Sequence, residues 1–348
     1  MNPLRTPAAV AAALVALAAA PAQAQVFGSL SNFDAVNDTG QIAHGFEIQI
    51  EDASYDHTKI FSVFGLDRNF GVPPASVERY SAPTITDLPG IGVSVRYQAS
   101  FANGQWSVGT PTGPYPFAGD SCWPLGNAQY NSGTLTCDHF GVATYGNPAR
   151  VTYNWLVDPS NTGALSSRAA GLPPVNWAYQ PPPAGQQGGG VVAEIDAHKE
   201  ANEVFGMPFW VKIFSNHANH AVELDNLLKG KPDVPGDQQV EAEFEIFQAG
   251  DANETKFANI ALNPADAALV LRYEFYTYQG ALTAEGEASC GGHGAGKVGP
   301  ADCGGLGDFV GAQIAGFNVV QAPVPEPATW ALWLAGLGSI GFVARRRS

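Results

Sequence analysis

Positive charge is scarce in this chain, which has 17 Lys and Arg residues against 32 Asp and Glu residues. A protein that binds nucleic acid neutralises phosphates with clustered Lys and Arg side chains, and this balance repels a phosphate backbone instead. We therefore expect no nucleic-acid partner. An acidic exterior is typical of a soluble extracellular protein, and it can gather divalent cations, although diffuse charge is weaker evidence for a cation site than a cluster of ligands.

Catalytic and nucleotide-binding motifs are also missing. The chain has no Gly-x-Ser-x-Gly nucleophile elbow, no phosphate-binding loop and no dinucleotide fingerprint. The absence of a motif is weak evidence against an enzyme. Paired carboxylates that hydrolyse sugars meet only in the fold and leave no spacing in a sequence, so that chemistry stays open.

Apolar segments lie at both ends of the chain. The first has Arg5 as its positive region, an apolar run over residues 8–20 and a small-residue cleavage site, Ala22-Gln23-Ala24. This order is that of a secretory signal peptide, so we expect residues 1–24 to be removed and the mature chain to begin at Gln25. An uncleaved membrane helix is the alternative, but the run is short and weakly apolar for a span.

The second apolar segment, residues 328–344, carries no charge and is followed by Arg345, Arg346 and Arg347. As a helix it would be about 25 Å long, which is sufficient to cross a bilayer core. The arginines would stay on the cytoplasmic side and leave the preceding chain outside. The segment is therefore predicted to be a transmembrane helix.

The sequence Pro325-Glu326-Pro327, the apolar segment and the arginine cluster follow one another in an order that resembles the PEP-CTERM sorting signal of Gram-negative bacteria. The resemblance covers residues 323–348. It implies that the protein is exported, and the predicted signal peptide indicates export by the Sec machinery. An exosortase would then recognise the Pro-Glu-Pro and cleave the chain near it. The body would lie in the periplasm, anchored in the inner membrane, before it reaches the cell surface or extracellular matrix. An ordinary tail anchor with an accidental Pro-Glu-Pro is the alternative.

Between the two ends, apolar and polar residues alternate with a period of two, which predicts β-strands. Phe46, Ile48 and Ile50 alternate with polar residues, and the alternation over residues 93–108 is interrupted by Asn103-Gly104, which predicts a β-hairpin. Further strands are predicted at residues 151–157, 209–214, 240–246, 269–278 and 309–320. We therefore expect an all-β protein of β-sandwich, Greek-key-like architecture.

Residues 171–190 interrupt this pattern with runs of proline and glycine. Prolines lack the backbone donor that a central strand needs, and glycines resist ordering. We interpret the stretch as a linker, which predicts two β-sandwich domains over residues 25–170 and 191–322. A long loop within one large domain is the alternative.

The four cysteines fall in two close pairs, Cys122 with Cys137 and Cys290 with Cys303. In an oxidising compartment this spacing favours two local disulfides, because a short loop has less closure entropy, although three connectivities are formally possible. A metal site that combines His293 with Cys290 and Cys303 is the rival hypothesis, and its other ligands are not evident.

Other candidate metal ligands share short spacings of carboxylate, amide and imidazole groups. They are Asp34, Asn37, Asp38 and Gly40; Asp251, Asn253 and Thr255; Glu194, Asp196, His198 and Glu200; and His217 with His220. The first two sets resemble calcium loops without the full ligand pattern, the third fits a solvated acidic strand face equally well, and the fourth fits a polar turn after a strand. We expect no metal or cofactor, with calcium in one loop kept as a hypothesis.

The family resemblance suggests an association with exopolysaccharide, so a structural or carbohydrate-binding role is the first hypothesis. Trp123, Trp177 and Tyr179 are candidates for stacking on sugar rings, and each fits a packing role equally well. A secreted polysaccharide hydrolase or lyase is the second hypothesis. The first predicts a shallow aromatic surface, and the second predicts a deep pocket with several titratable groups.

Overall fold

The computed structural model describes residues 26–67, 75–110, 137–145, 148–180, 189–195, 202–220, 241–250, 257–262, 265–290 and 299–319. In this part of the chain the one α-helix, α1 (Ala75–Tyr80), is short and strands dominate. The prediction of an all-β protein is confirmed. The predicted signal peptide and transmembrane helix lie outside the described residues.

The described part of the chain contains 17 strands. In order they are β1 (Val26–Val36), β2 (Ala43–Glu51), β3 (Ile60–Val63), β4 (Thr84–Leu88), β5 (Gly92–Gln98), β6 (Phe101–Ala102), β7 (Gln105–Trp106), β8 (Cys137–Thr144), β9 (Val151–Val157), β10 (Ser166–Ala169), β11 (Val175–Gln180), β12 (Gly190–Ile195), β13 (Phe209–Ala218), β14 (Glu241–Phe247), β15 (Phe257–Ala261), β16 (Ala268–Tyr278) and β17 (Leu306–Val319).

Fifteen of these strands form three antiparallel sheets. The large sheet has seven strands in the order β14-β13-β16-β17-β1-β8-β3. A five-stranded sheet has the order β10-β9-β2-β5-β4, and a three-stranded sheet has the order β11-β12-β15. The remaining strands, β6 and β7, form a hairpin.

The core lies between the large sheet and the two smaller sheets. Phe33 and Phe140 of the large sheet contact Phe46 of the five-stranded sheet, with ring centroids 5.7 and 4.1 Å apart. Trp177 of the three-stranded sheet contacts Tyr273 of the large sheet at 4.8 Å. One cluster of buried apolar residues includes all of these rings. The large sheet thus forms a sandwich with both of its smaller neighbours.

Several predicted elements are confirmed by the pairing of strands. Phe46, Ile48 and Ile50 of β2 are fully buried on the face that period-two alternation predicts. The predicted hairpin is β6 and β7, joined by Asn103 with φ 52° and Gly104 with φ 75°. Asn and Gly tolerate positive φ at low cost, which explains why the chain turns here.

The proline- and glycine-rich stretch contains a strand that the sequence did not predict. β11 pairs with β12 from Val175 opposite Ile195 to Gln180 opposite Gly190. The proline runs flank β11, and β11 lies at the edge of its sheet, where a missing backbone donor is tolerated. This part of the predicted linker is therefore an ordered edge strand.

The large sheet contains strands from both sides of that stretch. β1, near the start of the chain, pairs with β17 from Val26 opposite Val319 to Ala35 opposite Gly311. β17 also pairs with β16, and both contribute to the same buried cluster as β1. Strand pairing thus connects the two halves of the chain, and the number of domains stays a prediction.

The helix α1 packs on β8 and β5. Its Arg79 Nε lies 2.9 and 3.2 Å from the two carboxylate oxygens of Asp138 on β8, and both side chains are buried. Tyr80, the last residue of α1, is fully buried. The helix is therefore fixed by one ion pair and one aromatic ring.

Candidate functional site

The first and last described strands meet at one end of the large sheet. Val26, where β1 begins, is the register partner of Val319, where β17 ends. The predicted signal peptide ends just before Val26, and the Pro-Glu-Pro begins at Pro325. Both membrane-directed segments therefore join the sandwich at the same end, which we call the sorting end.

Two exposed aromatic residues lie near the sorting end. Phe61 of β3 is 36% exposed, and Tyr145, which directly follows β8, is 43% exposed. Their ring centroids are 5.2 Å apart, and the ring planes meet at 82°. This edge-to-face geometry is favourable for aromatic rings, and it leaves surface of both rings in contact with solvent. We call Phe61 and Tyr145 the aromatic pair.

A β-bulge explains why Phe61 reaches the surface. β3 pairs with β8 through Ile60 opposite Thr144 and Ser62 opposite Ala143, so Phe61 is an extra residue between two successive pairs. An extra residue bends an edge strand and changes the direction of a side chain. The bulge thus places an aromatic ring on the surface directly before the buried residue Ser62.

Hydrogen bonds fix the backbone of Tyr145 on both sides. Its N–H donates to the carbonyl oxygen of Lys59 at 2.9 Å, and its carbonyl oxygen accepts from the hydroxyl of Tyr55 at 3.0 Å. Burial raises the pKa of Tyr55 to about 12, so this hydroxyl stays protonated at neutral pH. The aromatic pair is therefore presented by ordered backbone.

The charged groups near the aromatic pair are engaged with neighbouring groups. Asp87 accepts a hydrogen bond from the backbone N–H of His57 at 2.7 Å and contacts His57 Nδ1 at 2.7 Å. This contact raises the pKa of His57. Asp52 and Asp56 each accept a hydrogen bond from a backbone N–H two residues later, at 2.9 Å. The carboxylates of Asp52, Asp56 and Asp87 near the pair are therefore hydrogen-bonded.

Of the aromatic residues that the sequence suggested for sugar stacking, only the side chain of Trp177 is described. Trp177 is only 6% exposed and packs against Tyr273 and Phe317 of the large sheet, so it is a core residue and its predicted role in stacking is wrong. Tyr179 lies in β11, but the placement of its side chain is not described. Trp123 lies outside the described residues.

Three histidines of the described chain bind a carboxylate through Nδ1. The pairs are His139 with Asp34 at 2.6 Å, His217 with Asp266 at 2.7 Å, and the exposed pair of His57 with Asp87. Such a contact orients the imidazole ring. Within the described ranges, no group of three or more His, Cys, Asp and Glu side chains is arranged to hold a metal ion.

His217 and His220 do not share a turn. His217 lies in β13, which pairs with β16 as far as Ala218. Residues 216–218 are therefore part of a strand, and the turn predicted there is wrong. His220 contacts the neighbouring Asn219 at 3.1 Å. Glu194 is exposed on β12, while Asp196, His198 and Glu200 lie outside the described residues.

The first candidate calcium loop uses its polar groups for local contacts. Asp34 is buried against His139, and Asn37 Oδ1 accepts hydrogen bonds from the N–H and hydroxyl of Thr39 at 3.1 and 2.6 Å. Burial raises the pKa of Asp38. The second candidate loop, with Asp251, Asn253 and Thr255, lies outside the described residues, and calcium binding stays a hypothesis.

One of the two predicted disulfides is confirmed. Cys290 and Cys303 are bonded, with Cα atoms 5.7 Å apart, which removes the rival metal site at these two cysteines. His293 lies outside the described residues. Cys137 begins β8, and the Cys122–Cys137 bond stays a prediction because Cys122 also lies outside them.

The C-terminal segment matches a known sorting signal. Residues 323–347 match the PEP-CTERM protein-sorting motif, which includes Pro325, Glu326, Pro327 and the arginine cluster, so the resemblance is confirmed. The chain is thus an exported protein, transiently anchored in a membrane, of the class that an exosortase processes. No curated protein and no solved structure matches the chain. Among the residues with described structure, no helix is long and apolar enough to cross a membrane.

Proposed function

We propose that the protein is displayed at the cell surface or in the extracellular matrix, where it has a structural or carbohydrate-binding role linked to exopolysaccharide. The aromatic pair is the observation that supports binding most strongly. It presents two exposed aromatic rings beside an ordered β-bulge, as a carbohydrate-binding surface requires. The sorting motif supports the displayed location.

The chemistry of the aromatic pair suits a sugar ring. A pyranose presents C–H groups on one face, and these pack against the negative face of an aromatic ring while the hydroxyl groups stay hydrated. Two rings at 82° offer surfaces in two directions, so neighbouring sugars of one polymer can each make contact. Because both rings are exposed, the middle of a polymer as well as its end can bind there.

The charge of the exported body indicates the kind of polysaccharide. Arg5, the three terminal arginines and Glu326 lie in the targeting segments, which leaves 13 basic and 31 acidic residues in the rest of the chain. This excess of negative charge repels a polyanion. We therefore propose a neutral polysaccharide as the ligand.

The route of export is part of the same proposal. Sec-dependent export, cleavage between Ala24 and Gln25, and anchoring in the inner membrane with the body in the periplasm would precede exosortase processing. Mass spectrometry of the native protein tests this route. We expect an N-terminus at Gln25 and a C-terminus upstream of the arginine cluster, and a chain that retained Met1 would contradict it.

Affinity electrophoresis tests carbohydrate binding. The segment from Gln25 to Ala322, which contains the 17 described strands, should be retarded in gels that contain a neutral polysaccharide. The double variant Phe61→Ala with Tyr145→Ala should migrate as in a gel without polymer. Release of reducing ends by the wild-type segment would instead support a polysaccharide hydrolase, and a new unsaturated sugar would support a lyase.

Calcium binding is a separate proposal. A cation held by residues 34–40, or by residues 251–255, would bind the native state and raise Tm by mass action. An unchanged Tm at millimolar calcium would remove this proposal.

A further inference from the structure

The sorting end has a defined distance to the membrane anchor. Residues 320–327 separate Val319 from the predicted membrane helix, which begins at Ala328, and a fully extended chain spans at most about 3.6 Å per residue. The nine steps from Val319 to Ala328 therefore reach at most about 32 Å. While the anchor is in the membrane, the sorting end is the part of the sandwich nearest to the bilayer.

Exposed apolar side chains are present at this same end. Thr144 pairs with Ser29, three residues from Val26 along β1, so Tyr145 lies level with the start of the sheet. Ile91, which is 50% exposed, directly precedes Gly92, the register partner of Glu51. The end of β2 at Glu51 leads into Tyr55, whose hydroxyl binds the backbone of Tyr145, so Ile91 belongs to the sorting end as well.

Charges of both signs lie at the sorting end. Asp52 and Asp56 accept hydrogen bonds from backbone N–H groups, Asp87 contacts His57, and Arg150 lies 3.4 Å from Glu51. The exposed Lys59 adds a positive charge at the same end, and lipid phosphates attract such a group. Tyrosine and other amphipathic aromatic residues are enriched at the level of lipid headgroups.

We propose that the aromatic pair rests in the headgroup region of the bilayer while the protein is anchored, and that removal of the anchor frees the pair. The interaction surface is the sorting end with Phe61, Tyr145 and Ile91, and the partner is a phospholipid surface. A short tether gives the contact an effective concentration on the order of millimolar, which suffices for a weak interfacial contact. The consequence for polysaccharide, that only the released protein binds through this pair, rests on the proposed function.

Photocrosslinking of the full-length chain in vesicles tests this contact. Phe61→p-benzoylphenylalanine, in the protein reconstituted into phosphatidylethanolamine and phosphatidylglycerol, should form phospholipid adducts that mass spectrometry detects. The matched control is Ile42→p-benzoylphenylalanine, because Ile42 is 50% exposed and directly precedes β2, whose other end lies at the sorting end. We expect adducts at position 61 and background at position 42. Equal adducts at both positions, or none at position 61, would overturn the proposal.

A longer tether provides the second readout. A 20-residue Gly/Ser insertion after Ala322 lengthens the spacer of residues 320–327 to about 28 residues, and effective concentration falls as about the −3/2 power of length, so adducts at position 61 should fall roughly sixfold. An unchanged yield would contradict the tethered contact. Polysaccharide binding by the exosortase-released protein is measured separately. If that protein binds no polysaccharide while the full-length chain still forms lipid adducts at position 61, the proposed function alone is refuted.

Discussion

The side chain of Gln313 in β17 accepts a hydrogen bond from the hydroxyl of Tyr153 in β9 at 3.1 Å, although the two residues are 160 positions apart. The same oxygen accepts from the N–H of Val175 at 3.3 Å, and Gln313 Nε2 donates to the carbonyl oxygen of Pro173 at 2.5 Å. Gln313 is fully buried. One amide thus joins the large sheet, the five-stranded sheet and the start of β11.

Substitution of Gln313 should destabilise the whole sandwich. Gln313→Ala leaves the Tyr153 hydroxyl, the Val175 N–H and the Pro173 carbonyl without this partner, and each buried unsatisfied group costs about 1–3 kcal/mol. Urea unfolding should show a single transition at a lower midpoint, with a loss of about 3 kcal/mol or more. Gln98→Ala is the control, because Gln98 is exposed on β5. Equal stability of the two variants would show that the amide does not join the sheets.

Loss of the confirmed disulfide should also lower stability. The bond closes a loop between residues 13 positions apart, and for a loop of this size the chain-entropy model gives about 3 kcal/mol. We expect the Cys290→Ser, Cys303→Ser double variant to lose about this much free energy of unfolding. Urea unfolding of both proteins measures this loss, and equal free energies of unfolding would contradict it. Thiol titration of the denatured, unreduced wild type counts the bonds separately. Four reactive thiols would contradict both bonds, and two would contradict one.

The buried ion pair of Arg79 and Asp138 should show strong coupling. Arg79→Met leaves the Asp138 carboxylate buried without its cation, which costs about 3–5 kcal/mol. Arg79→Met with Asp138→Leu replaces the pair by apolar groups, and such a replacement is often close to neutral. We therefore expect the double variant to be more stable than Arg79→Met in urea unfolding. A double variant whose loss equals the sum of both single losses would indicate no coupling.

His44 should make stability depend on pH. Its ring stacks on Trp106 at 4.6 Å, and burial lowers the pKa of His44 despite the opposing effect of Asp158. In the unfolded state His44 has a pKa of about 6.5 and binds a proton more readily than in the folded state. The stability that the neutral, buried ring contributes is therefore complete above about pH 6.5 and is lost as the pH falls below it.

The test of His44 is a difference between two proteins. His44→Phe keeps an aromatic ring on Trp106 but does not titrate, so it should lose less stability than the wild type between pH 7.5 and pH 5. His57 acts in the opposite direction, because its raised pKa stabilises the fold at low pH and this effect is lost as the pH rises. Since His57 is present in both proteins, it cancels in the difference. Identical pH profiles would refute the role of His44.

Local patterns predicted the hairpin and about half of the described strands, and they missed β1, β3, β4, β8, β10, β11, β12 and β15. Ile48 and Ile50 follow the period of a strand, and Asn103-Gly104 adopts the positive φ values that only a few residue types tolerate. The Cys290–Cys303 bond followed from a short spacing. The sorting motif was predictable because all of its parts are adjacent in sequence.

Features that depend on distant pairing were not predictable. The bulge at Phe61 exists only because β3 pairs with β8 in a shifted register, and no local signal marks it. Trp177 stands among prolines and glycines, yet rings from β16 and β17 bury it. The pairing of Val26 with Val319 joins the two ends of the described chain, which no periodicity within either strand can indicate.

The affinity of the processed sandwich for neutral polysaccharide tests the central claim most directly. Phe61→Ala with Tyr145→Ala should weaken binding at least roughly tenfold, equivalent to ~1.4 kcal/mol, with an unchanged Tm. The matched control is Ile42→Ala with Leu282→Ala, which removes exposed apolar side chains outside the aromatic pair. We predict that the control binds as the wild type does. Equal affinity of wild type and the aromatic-pair variant, measured by isothermal titration, would contradict the account.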